Sequence, residues 1–406
     1  MNIFIFGANW FNRGDESAIR AMIDELRIIY PTCNMRININ WYDISEFPYS
    51  DIPQVRSFNR PGGRNKLKLI PYYISLLSKG KFNFLKRTDN IALEEFVKTV
   101  RWADIVLYAP GGPMIGDYYE PKYLLDKLLL IKLIHTPYLF YAPSMGPFTK
   151  NRLLVKSVLK SASLICFREE ISKRYFDELK LNKKAYITFD SALQNKIDMD
   201  TNQKILSQNT KLNNFLANHK QVVGITITDL KWHREYKNTN ISQVIKEVFE
   251  KFIERITDDG TAILFIPQLF GKDCDRTYMN EFAVNNCYVL SDTYDCYFQQ
   301  FLISKLFAVV GMRYHSNIFS AKMSIPFISI SYEQKMEGFM RKAGLMEYCI
   351  NVKDLNENIL VEKFNILIKK YNTYKTDLEQ KIKAFQSESH KTTELVMEFI
   401  QKNNIR

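Results

Sequence analysis

An arginine and a histidine two positions apart follow an apolar run in the string Val309-Val310-Gly311-Met312-Arg313-Tyr314-His315-Ser316-Asn317. A planar guanidinium matches a carboxylate or phosphate through two parallel hydrogen bonds, and an imidazole exchanges a proton near neutral pH. In an extended segment residues two apart share a face, so this spacing predicts that Arg313 and His315 converge on one anionic ligand, with a helix starting behind them. A second cation, Arg168, stands at the end of the apolar run 163–167, directly before Glu169 and Glu170. At a strand's carboxyl end it either clamps an anion or pairs with those glutamates. His135, His219, His233 and His390 have no comparable company; His233, in Lys231-Trp232-His233-Arg234, is an outside candidate for acceptor contact.

Glycine-bearing loops are the other places where a ligand can meet the backbone. Gly7-Ala8-Asn9-Trp10-Phe11-Asn12-Arg13-Gly14-Asp15-Glu16 joins a first strand to a helix, whose N-terminal N–H groups and dipole favour negative charge. The dinucleotide spacing GxGxxG is absent. The plain alternative makes Asp15 the helix cap and Gly14 a turn residue. Ala109-Pro110-Gly111-Gly112-Pro113-Met114-Ile115-Gly116-Asp117 reads as a second strand-to-helix loop able to cradle an anion or a sugar, although Pro113 offers no donor. Ala142-Pro143-Ser144-Met145-Gly146-Pro147 is a third and weaker one.

Parallel strands must deliver such loops. Short apolar runs at 3–6, 35–41, 104–108, 138–142, 163–167 and 185–188 alternate with amphipathic stretches such as 16–29, 121–134, 151–159 and 169–179. That alternation predicts an α/β fold with a parallel sheet. After a polar stretch at about 195–220 the pattern restarts, with runs at 222–228, 261–266, 306–310 and 326–330. The expectation is therefore two Rossmann-like domains facing a cleft, at 1–195 and 196–375, followed by a C-terminal helix at 376–406. Ligands of such sheets sit beyond the carboxyl ends of the strands.

Composition bounds the partners. The 406 residues carry a net charge of +12, pointing to an anionic partner, and 46% hydrophobic content supports large cores. The six cysteines are dispersed without a CxxC pair, so neither a disulfide framework nor a zinc site is expected, and a reducing compartment is. The start, Met1-Asn2-Ile3-Phe4-Ile5-Phe6-Gly7, reads as a first strand and not as a signal peptide. Interruptions in the most apolar stretches, 67–77 and 123–134, leave none long enough to span a membrane.

Taken together, Asn12-Arg13-Gly14-Asp15-Glu16, Gly111-Gly112, Met145-Gly146-Pro147, Arg168, Asp190, Gly311-Met312-Arg313-Tyr314-His315 and Pro326-Phe327-Ile328-Ser329-Ile330-Ser331-Tyr332 resemble the polysaccharide pyruvyl transferase family. Pro113 departs from it, standing where a third glycine is often found. The resemblance implies an architecture similar to that of the B-type glycosyltransferases (GT-B). It also implies transfer of a pyruvyl group from phosphoenolpyruvate to a sugar of a cell-surface polysaccharide precursor, forming a ketal and releasing phosphate. His315, Arg313 and Arg168 are then the catalytic candidates, with Asn12, Gly14, Asp15, Glu16, Gly111, Gly112, Asp117, Met312 and Tyr314 as substrate-binding ones. Asp15, Glu16 and Asp117 are the candidate proton donors to the methylene carbon. No metal or cofactor is expected, because protein cations can stabilise the developing charge. The runner-up is a nucleotide-sugar-dependent glycosyltransferase of the same architecture. A third reading is a sugar-phosphate-binding regulatory protein without turnover.

The stretch 53–88 reads as an insertion. It holds nine basic residues, Arg56, Arg60, Arg64, Lys66, Lys68, Lys79, Lys81, Lys86 and Arg87, and no acid, which is most of the net charge. Interleaved aromatics and an apolar run broken by Pro71 predict an interfacial contact with an anionic membrane, where Arg60, Arg64, Lys66 and Lys68 bring the enzyme to a lipid-linked acceptor. A free oligosaccharide is the other acceptor. Nucleic acid is not expected, since none of its recognition motifs is present. The expected location is cytoplasmic, peripheral to the inner face of the cell membrane.

Overall fold

The computed structural model describes residues 1–39, 47–58, 91–118, 122–194, 196–271 and 274–405. The chain divides into two compact units: Met1–Trp10, Met22–Asp190 and His390–Arg406 form the first, and Phe11–Ala21 and Ser191–Ser389 the second. The first loop's Asn12 to Glu16 thus belong to the second unit. The terminal helix, expected from 376, is the later part of a single helix Tyr371–Lys402 that contributes to both units.

The strands of the first unit are β1 (Asn2–Ala8), β2 (Asn34–Ile39), β3 (Ile105–Tyr108), β4 (Gly111–Ile115), β5 (Tyr138–Phe140), β6 (Pro143–Met145), β7 (Leu164–Phe167) and β8 (Tyr186–Ile187). Six of them form a parallel sheet in the order β2-β1-β3-β5-β7-β8. Runs such as Ile3 to Phe6 are apolar throughout, as burial on both faces of a parallel sheet demands. Order reverses between β1 and β3, so the chain opens there at the strands' carboxyl ends. One expected loop is a different object. Gly111–Ile115 is itself a strand, pairing in parallel with β6, because the chain runs on extended beyond β3 and its irregular register accommodates Pro113, which has no N–H to pair.

The second unit has β9 (Val222–Thr226), β10 (Ala262–Phe265), β11 (Cys287–Val289), β12 (Ala308–Gly311), β13 (Phe327–Ser331) and β14 (Cys349–Asn351). They form one parallel sheet in the order β11-β10-β9-β12-β13-β14. This is the doubly wound order with its switch point between β9 and β12. Gly311 and Arg313 therefore emerge where the crevice of such a sheet lies. The fold is α/β with parallel sheets. Among the described residues, no helix is long and apolar enough to cross a membrane.

The start of the basic stretch is built into the first unit. Val55 N–H donates to the Ile37 carbonyl at 2.7 Å, Phe58 is buried, and Arg56 pairs with Glu95 at 3.6 Å. Arg60, Arg64, Lys66 and Lys68 lie outside the described residues.

Lys127, buried on the helix Lys122–Ile134, donates to Ser57 Oγ and lies 5.4 Å from the Phe58 and Tyr123 ring centroids. Burial pulls its ammonium down to about 8. The unfolded chain keeps this proton to about pH 10.4. Stability therefore rises with pH across that window, and below it the burial penalty, about 3 kcal/mol at most, is present in full. Lys127→Met is expected to raise stability at pH 7 by roughly 1–3 kcal/mol, with the gain shrinking as pH approaches 10. Urea unfolding at pH 7 and pH 10 checks both the sign and the trend.

Candidate active site

In the second unit, the first loop becomes the start of a helix. Asn12 Oδ1 accepts from Gly14 N–H at 2.8 Å and the Asn12 carbonyl accepts from Glu16 N–H at 2.9 Å, so Asn12 is the cap of helix α1 (Arg13–Ile29). Asp15, the third helical residue, is not the cap, although it and Glu16 suit the positive end of the dipole. Arg13 N–H donates to the Gln268 carbonyl at 2.9 Å and Phe270 N–H to the Phe11 carbonyl at 3.2 Å, which pins the loop to the segment following β10. Glu16 is buried between Arg13 (2.8 Å) and Arg20 (3.1 Å), and Arg20 also reaches Asp295 at 2.9 Å. Burial pushes the Glu16 carboxyl above its ordinary value against the pull of both arginines. Arg13 also donates to the Asp292 carbonyl at 2.6 Å and sits 3.8 Å over Phe270. These contacts fix the loop's shape.

The loop meets the Arg-x-His segment at Gly14. A side-chain carbon there would fall inside the van der Waals shell of His315 Nδ1, Cγ and Cβ. The same holds at Gly311, where a Cβ would collide with Asn317 Oδ1 and Ser316 Oγ. After β12, Arg313 is extended and Tyr314 opens a helix buried along nearly its whole length, Tyr314–Lys322. His315 consequently sits in a first helical turn and not in an extended segment, because the helix begins at once. Ser316 Oγ holds the turn through the Arg313 carbonyl and Thr226 Oγ1, both at 2.7 Å.

Arg313 forms a two-pronged pair with Asp275, Nε to Oδ2 at 3.2 Å and Nη2 to Oδ1. Asp275 Oδ2 also accepts from the backbone N–H groups of Gln268 and Leu269, each at 3.0 Å. Burial disfavours the Arg313 cation, but Asp275 and Tyr332 outweigh it and raise its affinity for the proton. The guanidinium lies 5.6 Å from the Trp232 ring centroid. Behind these rings, His233 Nε2 stands 3.5 Å from Glu333 Oε1, and Lys335 is 2.7 Å from Glu333 Oε2. Burial favours the neutral acid, yet Lys335 and His233 prevail and hold Glu333 at about 2.

A separate cluster lies in the first unit. Arg168, wholly buried, pairs with Asp190 at 2.6 Å, donates to Ser144 Oγ at 2.8 Å and to the Gly112 carbonyl at 3.2 Å. Its partner is Asp190 and not the adjacent glutamates, since Glu169 caps the following helix through Ser172. The Asp117 carboxylate accepts from Thr149 N–H (2.8 Å), Thr149 Oγ1 (2.6 Å) and Lys150 N–H (3.1 Å). Among the described residues, no three His, Cys, Asp or Glu side chains gather as a metal site.

These clusters fall within a matched family. Residues 12–334 fit the model of polysaccharide pyruvyl transferases. The chain belongs to that family. It is 23% identical over 403 residues to the amylovoran biosynthesis protein AmsJ of Erwinia amylovora, covering 91% of this chain and 92% of that one. Among solved structures it is similar to the UDP-GlcNAc 2-epimerase of Neisseria meningitidis, with a TM-score of 0.59, 12% identity and coverage of 99% and 100%. It is also similar to Anabaena Alr3699/HepE, solved with UDP and glucose, with a TM-score of 0.56, 14% identity and coverage of 99% and 100%. At such identities the structures establish a GT-B-type fold, and family membership makes the protein a transferase acting on polysaccharide.

Of the residues expected in a pyruvyl transferase site, Asn12, Gly14, Asp15, Glu16, Met312, Arg313, Tyr314 and His315 occupy the second unit. Gly111, Gly112, Asp117 and Arg168 occupy the first. Sequence reasoning missed Asp275, Tyr332 as a partner of Arg313, and Glu333. A buried arginine demands a carboxylate, but nothing in the sequence said which.

Gly14→Ala tests the close approach to His315. Alanine improves helix propensity by up to about 1 kcal/mol, while forcing a carbon against a ring costs about 1–3 kcal/mol. The steric term is larger, so a lowered melting temperature is expected, together with at least a tenfold loss of transferase turnover. An unchanged melting temperature would show that the contact relaxes freely.

Proposed function

We propose that the protein transfers the pyruvyl group of phosphoenolpyruvate to two hydroxyls of one sugar in an exopolysaccharide precursor, giving a pyruvate ketal and inorganic phosphate. The observation that carries this reading is Arg313 and His315 at a helix N-terminus, with His315 against Gly14, inside a matched pyruvyl transferase region. Phosphoenolpyruvate offers a carboxylate and a phosphate to a guanidinium and to helix-end N–H groups. Protonation of its methylene carbon leaves an oxocarbenium-like centre. One sugar hydroxyl adds to that centre, the bridging C–O bond breaks with phosphate leaving, and the second hydroxyl closes the ketal. One hydroxyl proton replaces that given to carbon and the other leaves with phosphate. His315 protonates the bridging oxygen or binds the phosphate. In the first unit, the bond of Arg168 to the Gly112 carbonyl supports a role in shaping the glycine-bearing strand.

Release of phosphate from phosphoenolpyruvate only in the presence of an acceptor glycan, with the corresponding mass increase of that glycan, is the expected result. Arg313→Lys is expected to lose at least tenfold in kcat/KM, because an ammonium cannot reproduce the two-pronged geometry. His315→Gln separates hydrogen bonding from proton transfer, and loss in this variant as well as in His315→Ala points to the proton. Phosphoenolpyruvate is expected to raise the melting temperature more than UDP-sugars do. The opposite order would favour the glycosyltransferase reading.

We also propose that the basic stretch docks the enzyme on anionic lipid, giving access to a lipid-linked acceptor. Its concentration of nine cations without an acid supports this. Sedimentation with anionic but not neutral vesicles is expected, weakening with salt and abolished by exchanging Arg60, Arg64, Lys66 and Lys68 for Glu. Turnover on a soluble acceptor should survive that exchange. Equal binding to both vesicle types would rule out electrostatic docking.

A further inference from the structure

Trp232 is 41% exposed, the aromatic among the large apolar side chains left open in the described residues. It is nevertheless held firmly. Its Nε1–H donates to Thr228 Oγ1 at 3.2 Å, and its ring meets His233 and Tyr332 edge-on at centroid distances of 5.4 and 6.1 Å. The residues around it are fixed in turn. His233 Nδ1 accepts from Glu235 N–H at 3.3 Å, which leaves the proton on Nε2, directed at Glu333. His233 N–H donates to the Leu230 carbonyl at 3.0 Å, and Tyr236 hydroxyl to the Tyr332 carbonyl at 3.4 Å. An indole on a mobile loop explains its own exposure, whereas one braced by a buried imidazole–carboxylate contact does not.

We propose that Trp232 is the platform on which the acceptor sugar stacks, and so a specificity-determining residue of the transferase. A pyranose has an apolar face of C–H bonds and a rim of hydroxyls. The negative π-face of an indole suits the former and leaves the latter to polar partners. Placement matters as much as chemistry. Arg313 lies over the ring, 5.6 Å from its centroid, so a sugar covering the exposed part of the indole shares that ring with the cation assigned to the donor. His233 then touches no substrate. It is a positioning residue that, with Glu333, keeps the ring fixed before the sugar arrives, reducing the ordering required on binding. This inference rests on the pyruvyl transferase reading for the identity of the reaction, but not for sugar binding itself.

The test uses the whole protein. Of its four tryptophans, Trp10, Trp41, Trp102 and Trp232, the last is reported separately by comparing wild type with Trp232→Phe. Methyl α- and β-glycosides of glucose, galactose and mannose are titrated while fluorescence is followed. A saturable change with at least one of them, absent in Trp232→Phe, is expected. In turnover assays Trp232→Ala should raise the acceptor KM at least tenfold and leave the phosphoenolpyruvate KM within twofold, with Trp232→Tyr recovering most of the loss. His233→Gln should raise the acceptor KM in the same direction by a smaller factor. A melting temperature of Trp232→Ala close to wild type secures the comparison, and Trp232→Phe, which keeps an aromatic ring against His233 and Tyr332, takes its place where the truncation lowers that temperature. No response to any glycoside, a response to uridine or UDP in their place, or an unchanged acceptor KM overturns the proposal. If wild type consumes no phosphoenolpyruvate and Trp232 still answers to glycosides, the platform stands and the pyruvyl reading falls.

Discussion

The second unit is organised around one buried ion pair, Arg313 with Asp275, exposed by only 5% each. Taking both charges out of water is costly, and their mutual attraction offsets that only when the remaining lone pairs are satisfied. Asp275 meets the condition by accepting the N–H groups of Gln268 and Leu269. Gln268 in turn offers its carbonyl to Arg13, so the pair's geometry reaches the first loop through a single residue. Arg313 N–H leans on Thr226 Oγ1 at the end of β9. Four pieces of chain distant in sequence are thereby held at the switch point of one sheet. Breaking such a pair by removing one partner costs about 3–5 kcal/mol, and here it also loosens one of the first loop's anchors.

Much of this was legible in advance, and the limits have physical causes. Strand-helix alternation is written in runs such as 222–228 and 306–310, because parallel strands buried on both faces must be apolar throughout. The strand end that carries Arg313 is legible for the same reason, being a local feature, whereas the extended face expected to be shared with His315 is not formed, because the helix begins at Tyr314. What stayed hidden was pairing at long range. Asp275 lies 38 residues from Arg313, in a short helix, Asp275–Met279, without a motif. Arg168 finds Asp190, 22 residues on, in preference to two adjacent glutamates, one of which the helix needs for its own cap. The second glycine-bearing segment misled for another reason: glycine and proline predict a turn, while pairing with β6 makes an irregular strand of the same residues. Neither outcome is decided by local propensity.

In the proposed reaction, two neutralised arginines change how an anion is recognised. Arg313 and Arg168 each carry a carboxylate partner, so neither cluster attracts a donor merely by excess charge. Preorganisation takes its place. A guanidinium locked by Asp275, a helix N-terminus beginning at Tyr314 and an imidazole pressed against Gly14 are oriented before any ligand arrives. Groups of this kind stabilise developing charge without the reorganisation that free lysines on a surface require. They are also less forgiving. A free cation tolerates a displacement of its partner by turning, whereas a fork already bound on one side does not. Small residues at Gly14 and Gly311 are then as necessary to this arrangement as the charged ones, because each allows the close approach of backbone to side chain on which the orientation depends.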